Sequence, residues 1–391
     1  MRPNVLHLLD TFETGGSERQ AVQLVRSLHQ SGRFRVHVAC LNRRGPLLED
    51  VERLGLGEIP EFPLTSFHDR NAAVQLIRFR RYVRWLGIDV LQTHDFYTNI
   101  FGMPAAALAG VRVRLAGRRE TFRSCTRMQK WGQTRAYRLA HSIVANCEAV
   151  RRHLIGEGVR NEKIVTVYNG LDLERVTSPP AMRRQEALAR FGLPAHPPRR
   201  FVTVVANLRL RLKDHPTFLR AARRVRQAVP EAAFVLAGEG ELLPELRQYA
   251  ARLGLERDTF FVGSCTAPAE LLALSDVCAL SSTSEGFSNV ILEYMGAARP
   301  VVATDVGGAR EAVLDGESGY LVPAGADEAM AARIIELLRD PARARAMGQR
   351  GRKAVEEKFS SQAQLERTEN LYGNLLAPRL ALAPAAELGE S

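Results

Sequence analysis

Only five cysteines are spread over 391 residues, and no two of them form a C-x2-C pair. Cys40, Cys125, Cys147, Cys265 and Cys278 therefore predict reduced thiols in a cytoplasmic protein, with neither a disulfide framework nor a zinc site. Long apolar runs are also missing. No stretch approaches the roughly 20 residues that a membrane-spanning helix needs. The opening MRPNVLHLLD ends in Asp10 and a glycine turn, so it reads as a first buried strand and not as a secretory leader. The dinucleotide fingerprint G-x-G-x-x-G does not follow that strand, which disfavours a nicotinamide enzyme. There are no short tandem repeats, and no paired-Asp motif stands in a loop suited to a metal.

The net charge of +11 is unevenly placed. Residues 1–170 hold 26 Lys+Arg against 15 Asp+Glu, while residues 171–391 hold 28 of each. A basic first half suits nucleic acid, anionic lipid or a phosphorylated substrate. No recognised nucleic-acid-binding motif accompanies it, so nucleic acid is not an expected partner. Two basic and aromatic clusters stand out. Arg78, Arg80, Arg81 and Arg84 surround Phe79, Tyr82, Val83 and Trp85, and Arg118, Arg119, Arg123, Arg127 and Lys130 accompany Trp131. Such arginines are ordinarily solvated groups over a core-facing stripe. The sharper expectation is a first domain resting on an anionic membrane surface.

Short apolar runs alternate with helical patterns, which predicts an α/β chain with parallel sheets covered by helices. Strands are expected at Asn4–Leu9, Val36–Leu41, Asp89–Thr93, Val111–Ala116, Ile143–Ala145 and Ile164–Val167. A second set is expected at Phe201–Val205, Ala233–Ala237, Thr259–Val262, Val277–Leu280, Pro300–Ala303 and Tyr320–Val322. The pattern divides into a Rossmann-like domain over 1–176, a proline-rich connection over 177–200 and a second Rossmann-like domain over 201–359. A helix follows at about 360–376, and the Ala/Pro-rich tail 377–391 should fray.

The most informative stretch is SSTSEGFSNVILEYMGAARPVVATDVGGAREAVLDGESG, from Ser281 to Gly319. Glu285 and Gly286 form a polar loop, Ser288 is a candidate N-cap, and Glu293 falls about one turn inside the helix that follows. The backbone N–H groups of Asn289, Val290 and Ile291 would then lie between two carboxylates, at a helix end that attracts phosphate. Two acids at this spacing are usually surface charges around a core helix. Here they come with Phe287, the Pro300–Thr304 strand and the Gly307–Gly308 turn. The whole segment resembles the donor-binding segment of the family 4 retaining glycosyltransferases, which have the GT-B fold of two Rossmann-like domains facing a central cleft. The resemblance continues in order from Thr14 to about Phe359.

The resemblance assigns roles to individual residues. Glu285 would orient the hydroxyls of the transferred sugar, and Glu293 would meet ribose hydroxyls, with Gly286, Phe287, Ser288, Asn289, Val290 and Ile291 around the donor. Gly16, in Thr14-Gly15-Gly16, matches the family's glycine loop at the donor diphosphate. Lys213 matches the phosphate-binding lysine. Asn207 stands where the family has an arginine, which leaves Arg209, ahead of Arg211, to meet the phosphate. His94, at the end of a strand, resembles the family's active-site histidine, with Asp95 a weaker candidate. Gly238-Glu239-Gly240 matches a second-domain glycine turn, and Gly263 and Ser264 stand where the nucleobase is held. Asn169-Gly170-Leu171-Asp172 resembles a structural turn, and the helix at 360–376 is expected to return to the first domain.

The expected protein is a cytoplasmic glycosyltransferase, possible also on the inner membrane face. It would move sugar from a nucleotide-diphosphate sugar to a hydroxyl of a glycan or lipid-linked acceptor, with no cofactor and no metal. Two alternatives stay open: a GT-B nucleotide-sugar epimerase, and a non-catalytic nucleotide-sugar-binding protein.

Overall fold

A computed structural model of the chain describes residues 2–67, 69–121, 126–177, 183–265 and 267–380. It forms two compact units. Of the described residues, the first unit takes those up to Arg119, 126–170 and those from Ser361 onward. The second takes Leu171–Ser360 together with Glu120 and Thr121.

The first unit alternates strand and helix. It runs β1 (Asn4–Leu9), α1 (Gly16–Ser31), β2 (Arg35–Cys40), α2 (Leu47–Glu52), α3 (Arg70–Trp85), β3 (Val90–Thr93), α4 (Phe96–Ala109) and β4 (Val113–Arg118). It continues with α5 (Arg127–Leu139), β5 (Ser142–Ala145), α6 (Glu148–Gly156) and β6 (Ile164–Thr166). The second unit runs α7 (Arg184–Arg190), β7 (Arg200–Val205), α8 (His215–Ala228), β8 (Ala232–Ala237), α9 (Leu243–Arg252), β9 (Thr259–Phe261) and α10 (Pro268–Leu274). After these come β10 (Ser275–Leu280), α11 (Asn289–Gly296), β11 (Val301–Thr304), α12 (Ala309–Ala312), β12 (Tyr320–Val322), α13 (Asp327–Arg339) and α14 (Pro341–Lys358). The last helix, α15 (Ser361–Leu380), belongs to the first unit.

Both sheets have six strands, in the orders β2-β1-β3-β4-β5-β6 and β12-β11-β10-β7-β8-β9. Every pairing is parallel. Helices cover both faces of such sheets, so the strands read as continuous apolar runs; Ala232–Ala237 is buried at every position. Strand order reverses between β1 and β3 in the first sheet and between β7 and β10 in the second. Ligands of doubly wound sheets bind outside the carboxyl ends of the strands that flank such a point. The loops that follow those four strands carry most of the expected site residues.

Two expectations about the chain's organisation change. The segment 183–200 is not a free connection. Ala187, Leu188 and Leu193 pack against Phe201, Ala233, Val235 and Leu271 in a buried cluster of the second unit. Residues 178–182 lie outside the described residues, and the second unit already begins at Leu171, earlier than the expected boundary. The tail expected to fray from Ala377 stays helical to Leu380, and 381–391 lie outside the described residues. The last helix packs on the first unit through Leu365, Leu371, Tyr372 and Leu376, which join Val5, Leu24, Val38 and Val113 in one core.

Candidate active site

In the second unit the loops after β7 and β10 are bonded to one another. Thr283 N donates to Leu212 O at 2.8 Å, and Ser281 Oγ donates to Lys213 O at 2.9 Å. These bonds bring Lys213 and Glu285 together across 72 residues of sequence: Lys213 Nζ lies 2.6 Å from Glu285 Oε1. Ser282 Oγ donates to the same carboxylate oxygen at 2.7 Å. The two charges are only 18% and 14% exposed, so solvent screens them weakly. Asp214, next to Lys213, holds a left-handed backbone with φ 44° and caps α8 by accepting from Thr217 N. Such strain persists where surrounding structure imposes it, and it clusters at functional sites.

The glycines of the Gly307–Gly308 turn have a specific task. Gly307 has φ +56°, and a Cβ built on it would stand 2.1 Å from Glu285 O. Gly308 N donates to Gly286 O at 2.7 Å. Only a residue without a side chain lets this turn run against the back of the 285–286 loop.

Helix α11 begins where expected. Ser288 is its N-cap residue, but the Ser288 side chain makes no capping bond, so no hydroxyl closes over the first turn. Glu293 is 12% exposed and lies 3.7 Å from Arg175. Phe287 and Ile291 are 5% and 1% exposed, and the Phe287 ring packs on Phe359 at 5.3 Å. Both side chains belong to the core, which leaves their backbone groups for a ligand, as expected of Ile291 from the outset.

Asn207 shapes the loop after β7. Its Oδ1 accepts from Arg209 N at 3.2 Å and Leu210 N at 3.1 Å. Arg211 is engaged with Glu245 at 3.0 Å, whereas Arg209 is exposed and has no ion pair among the described residues. Glycines zip this loop to its neighbours. Gly238 has φ +156°, a Cβ on it would stand 1.9 Å from Ala206 O, and its N–H donates to Gly263 O at 2.7 Å. Ser264 N donates to Glu239 Oε1 at 3.2 Å, so Gly263 and Ser264 sit at the rim of the same cluster of loops.

In the first unit Gly15 is the N-cap of α1 and Gly16 its first residue, directly after β1. His94 follows β3, with Arg119, Asn169 and His7 around it. Arg119 Nη2 lies 3.4 Å from His94 Nδ1, and Arg119 Nη1 donates to Asn169 Oδ1 at 2.8 Å. A guanidinium only donates, so His94 Nδ1 accepts and the ring proton sits on Nε2. That Nε2 is 2.9 Å from His7 Nδ1, which must accept in turn. His7 then carries its own proton on Nε2, a buried atom with no partner among the described residues. Burial, then Arg119, pulls His7 down to about 3. Burial, then His7 and Arg119, holds His94 well below the ordinary imidazole value. Both rings are therefore neutral near pH 7. His94 is 3% exposed, with one ring nitrogen against Arg119 and the other against His7.

Asp95 is the N-cap of α4, bonded reciprocally with Thr98, which gives it a structural task. Burial, then Asp10, pushes its carboxyl up to about 7. Arg119 and Asn169 were not singled out as a pair by the sequence. The sequence placed Arg119 in a basic cluster and Asn169 in a turn read as structural, with nothing to join the two. Burial pulls Arg119 down to about 10, against the opposing charges of Glu18 and Asp95. Among the described residues, no group of three or more His, Cys, Asp or Glu is arranged to hold a metal ion.

Of the basic cluster on α3, Arg80 and Arg84 direct donors at the carbonyls of Leu108 and Ala109, at the end of α4. Arg78 lies over the Phe62 ring and bonds Gln75. Phe79 and Val83 are buried, whereas Val74, Ile77 and Trp85 are 52%, 47% and 78% exposed. Residues 122–125, which include Arg123 of the second cluster, lie outside the described residues.

The family model described as Glycosyltransferase Family 4 matches residues 14–175, and that described as Glycosyl transferases group 1 matches residues 199–340. A D-inositol 3-phosphate glycosyltransferase of Kineococcus radiotolerans is 34% identical over 319 residues, 76% of this chain and 68% of that protein. The putative glycosyltransferase EpsD of Bacillus subtilis is 36% identical over 160 residues, 41% of this chain and 42% of that protein. Among solved structures, Anabaena HepE in complex with UDP superposes with a TM-score of 0.83 at 21% identity, covering 95% of this chain and 100% of that one. Sucrose-phosphate synthase from Thermosynechococcus elongatus gives 0.78 at 19% identity, covering 96% and 100%.

Proposed function

Because the chain belongs to the family 4 glycosyltransferases and has their GT-B fold, we propose that it transfers a sugar from a nucleotide-diphosphate sugar to an acceptor hydroxyl with retention of configuration. The observation that carries this reading is the Lys213–Glu285 contact of 2.6 Å at the switch point of the second sheet, beside the start of α11. UDP in the HepE structures and GDP-mannose in the names of mycobacterial relatives support a nucleotide-sugar donor as a class and differ in the base.

The acceptor oxygen attacks the anomeric carbon from the face that the diphosphate leaves. The bond from that carbon to the phosphate oxygen breaks and its electron pair stays with the diphosphate, which also takes the acceptor's proton. Charge therefore grows on the leaving group, where preorganised cations help most. Lys213 and Arg209 supply it, and Glu285, released from Lys213, orients the sugar hydroxyls. Glu293 meets the ribose. His94 acts indirectly, by holding Arg119.

The test is turnover of a panel of nucleotide sugars, with and without glycan acceptors, in a chelator. Release of nucleoside diphosphate that depends on acceptor, gives a product of retained configuration and proceeds equally in EDTA is the expected result. Conversion of the donor to its epimer without acceptor would replace this reading with an epimerase. Tight binding without turnover would leave a binding protein, and loss of activity restored by Mg²⁺ would refute the metal-free mechanism.

The basic first half and the exposed Val74, Ile77 and Trp85 on α3 favour a lipid-linked acceptor at an anionic membrane surface. Among the described residues no helix is long and apolar enough to cross a membrane. Each basic residue near such a surface contributes about 1 kcal/mol, screened by salt. Sedimentation with anionic vesicles should carry the protein down at low salt, and Ile77→Ser with Arg81→Gln should reduce the pelleted fraction. Equal recovery with neutral vesicles would point to a soluble acceptor.

A further inference from the structure

A cavity of about 740 Å³ lies entirely within the first unit, between α5 and the connection from α6 to β6. Its size is that of a small-molecule site. It shares no residue with the donor-side groups of the second unit. Arg118 and Arg119 are neighbours at the end of β4, and successive residues of a strand face opposite sides of the sheet. Arg119 serves the His94 cluster, and Arg118 lines this cavity.

Five cationic side chains line it, Arg118, Lys130, Arg138, Arg160 and Lys163, against one carboxylate, Glu157. The carboxylates beside them are fewer than the cations. Arg118 reaches Glu157 only at 3.7 Å, and Arg160 meets Glu162 at 3.3 Å. Lys163 Nζ donates to the carbonyl oxygens of Tyr137, Arg138 and Ala140, which are uncharged. Lys130 and Arg138 have no ion pair among the described residues.

The wall also holds unused polar groups. Gln133 and Tyr137 are 6% and 5% exposed, yet the Tyr137 hydroxyl and both polar atoms of the Gln133 carboxamide have no hydrogen-bond partner among the described residues. Gln133 and Arg118 lie near the hydroxyl without closing a bond of good geometry. Buried polar groups are nearly always bonded, and these three atoms are open to a partner that enters the cavity. Burial keeps the Tyr137 hydroxyl protonated, pushing it up to about 12, and thus a donor. Phe96 and Val159 give the cavity an apolar side.

We propose that this cavity binds a small organic phosphate, its phosphate held by Lys130, Arg138 and the Tyr137 hydroxyl and its organic part against Phe96 and Val159. Titration calorimetry at fixed ionic strength, with inorganic phosphate and glycerol 3-phosphate as probes and glycerol as the uncharged control, tests it. Saturable binding of the phosphates is expected, with the ester tighter than the bare ion if the apolar side is used. Lys130→Gln with Arg138→Gln, both at exposed positions, should weaken binding at least tenfold. Tyr137→Phe, which keeps the ring, should weaken it independently, and Arg209→Gln should not. The proposal is overturned if no saturable heat appears, or if binding is unchanged in the cavity variants and lost in Arg209→Gln. Unchanged thermal unfolding of Lys130→Gln/Arg138→Gln shows that the loss is not a loss of fold.

Discussion

Glu285→Gln should lower turnover by about two to three orders of magnitude, the loss typical of removing one group aimed at transition-state charge, while donor affinity largely survives. The substitution keeps the shape of the side chain and its contact with Ser282, 2.7 Å away. It removes the negative charge that faces the sugar as the diphosphate departs. An interaction that strengthens on the way to the transition state appears in kcat and not in the dissociation constant. Lys213, 2.6 Å away and 18% exposed, would also lose its counter-charge. Breaking a well-buried pair costs about 3–5 kcal/mol. The retained amide oxygen and partial exposure should keep the penalty below that range, so the variant should fold. Steady-state kinetics combined with calorimetric donor binding separates the two effects. Wild-type kcat in a folded Glu285→Gln variant would remove Glu285 from the mechanism.

Gly307→Ala should reduce turnover about 100-fold or more, the size of effect that a misplacement of about 1 Å produces, and should weaken donor binding as well. The position touches no ligand in the proposed reaction. Its φ of +56° strains any L side chain, and the new methyl would stand 2.1 Å from Glu285 O. The left-handed conformation alone costs roughly 1–2 kcal/mol. The clash is with backbone, so the 285–286 loop has to move and carry the carboxylate with it. Affinity and kcat should fall together here, unlike in Glu285→Gln. Normal kinetics for Gly307→Ala would show that the position of this loop does not matter to the reaction.

All twelve strands were legible because parallel strands buried on both faces leave unbroken apolar runs, and helix starts and turns punctuate them. Their observed ends differ from the expected ones by at most two residues, as at β4, which begins at Val113 and extends through Arg118. The loops after β7 and β10 stood out because each gathers charged or glycine residues into a short stretch that follows a strand. What could not be read was which atoms those residues meet. Asn207 spends its side chain on its own loop, Phe287 turns to Phe359, and Arg80 and Arg84 reach the end of α4. The His7–His94–Arg119–Asn169 cluster joins four segments of the first unit that nothing in the sequence links to one another. Such pairings are settled by tertiary packing, and nothing in the local pattern marks them.

The placement of α15 sets an order on biosynthesis. Its Leu365, Leu371, Tyr372 and Leu376 complete the core of the first unit, and Arg33 reaches Glu369 at 2.6 Å. Contacts so distant along the chain carry a large closure entropy and form late. At about 5–20 residues per second, this helix is made on the order of ten seconds or more after Gly170, where the rest of the first unit ends. Throughout that interval the second unit is being synthesised while the first still exposes the apolar trough meant for α15, so the half made first is finished last. A chain stopped at Ser360 would carry every residue of the second unit and leave the first with its core open to water.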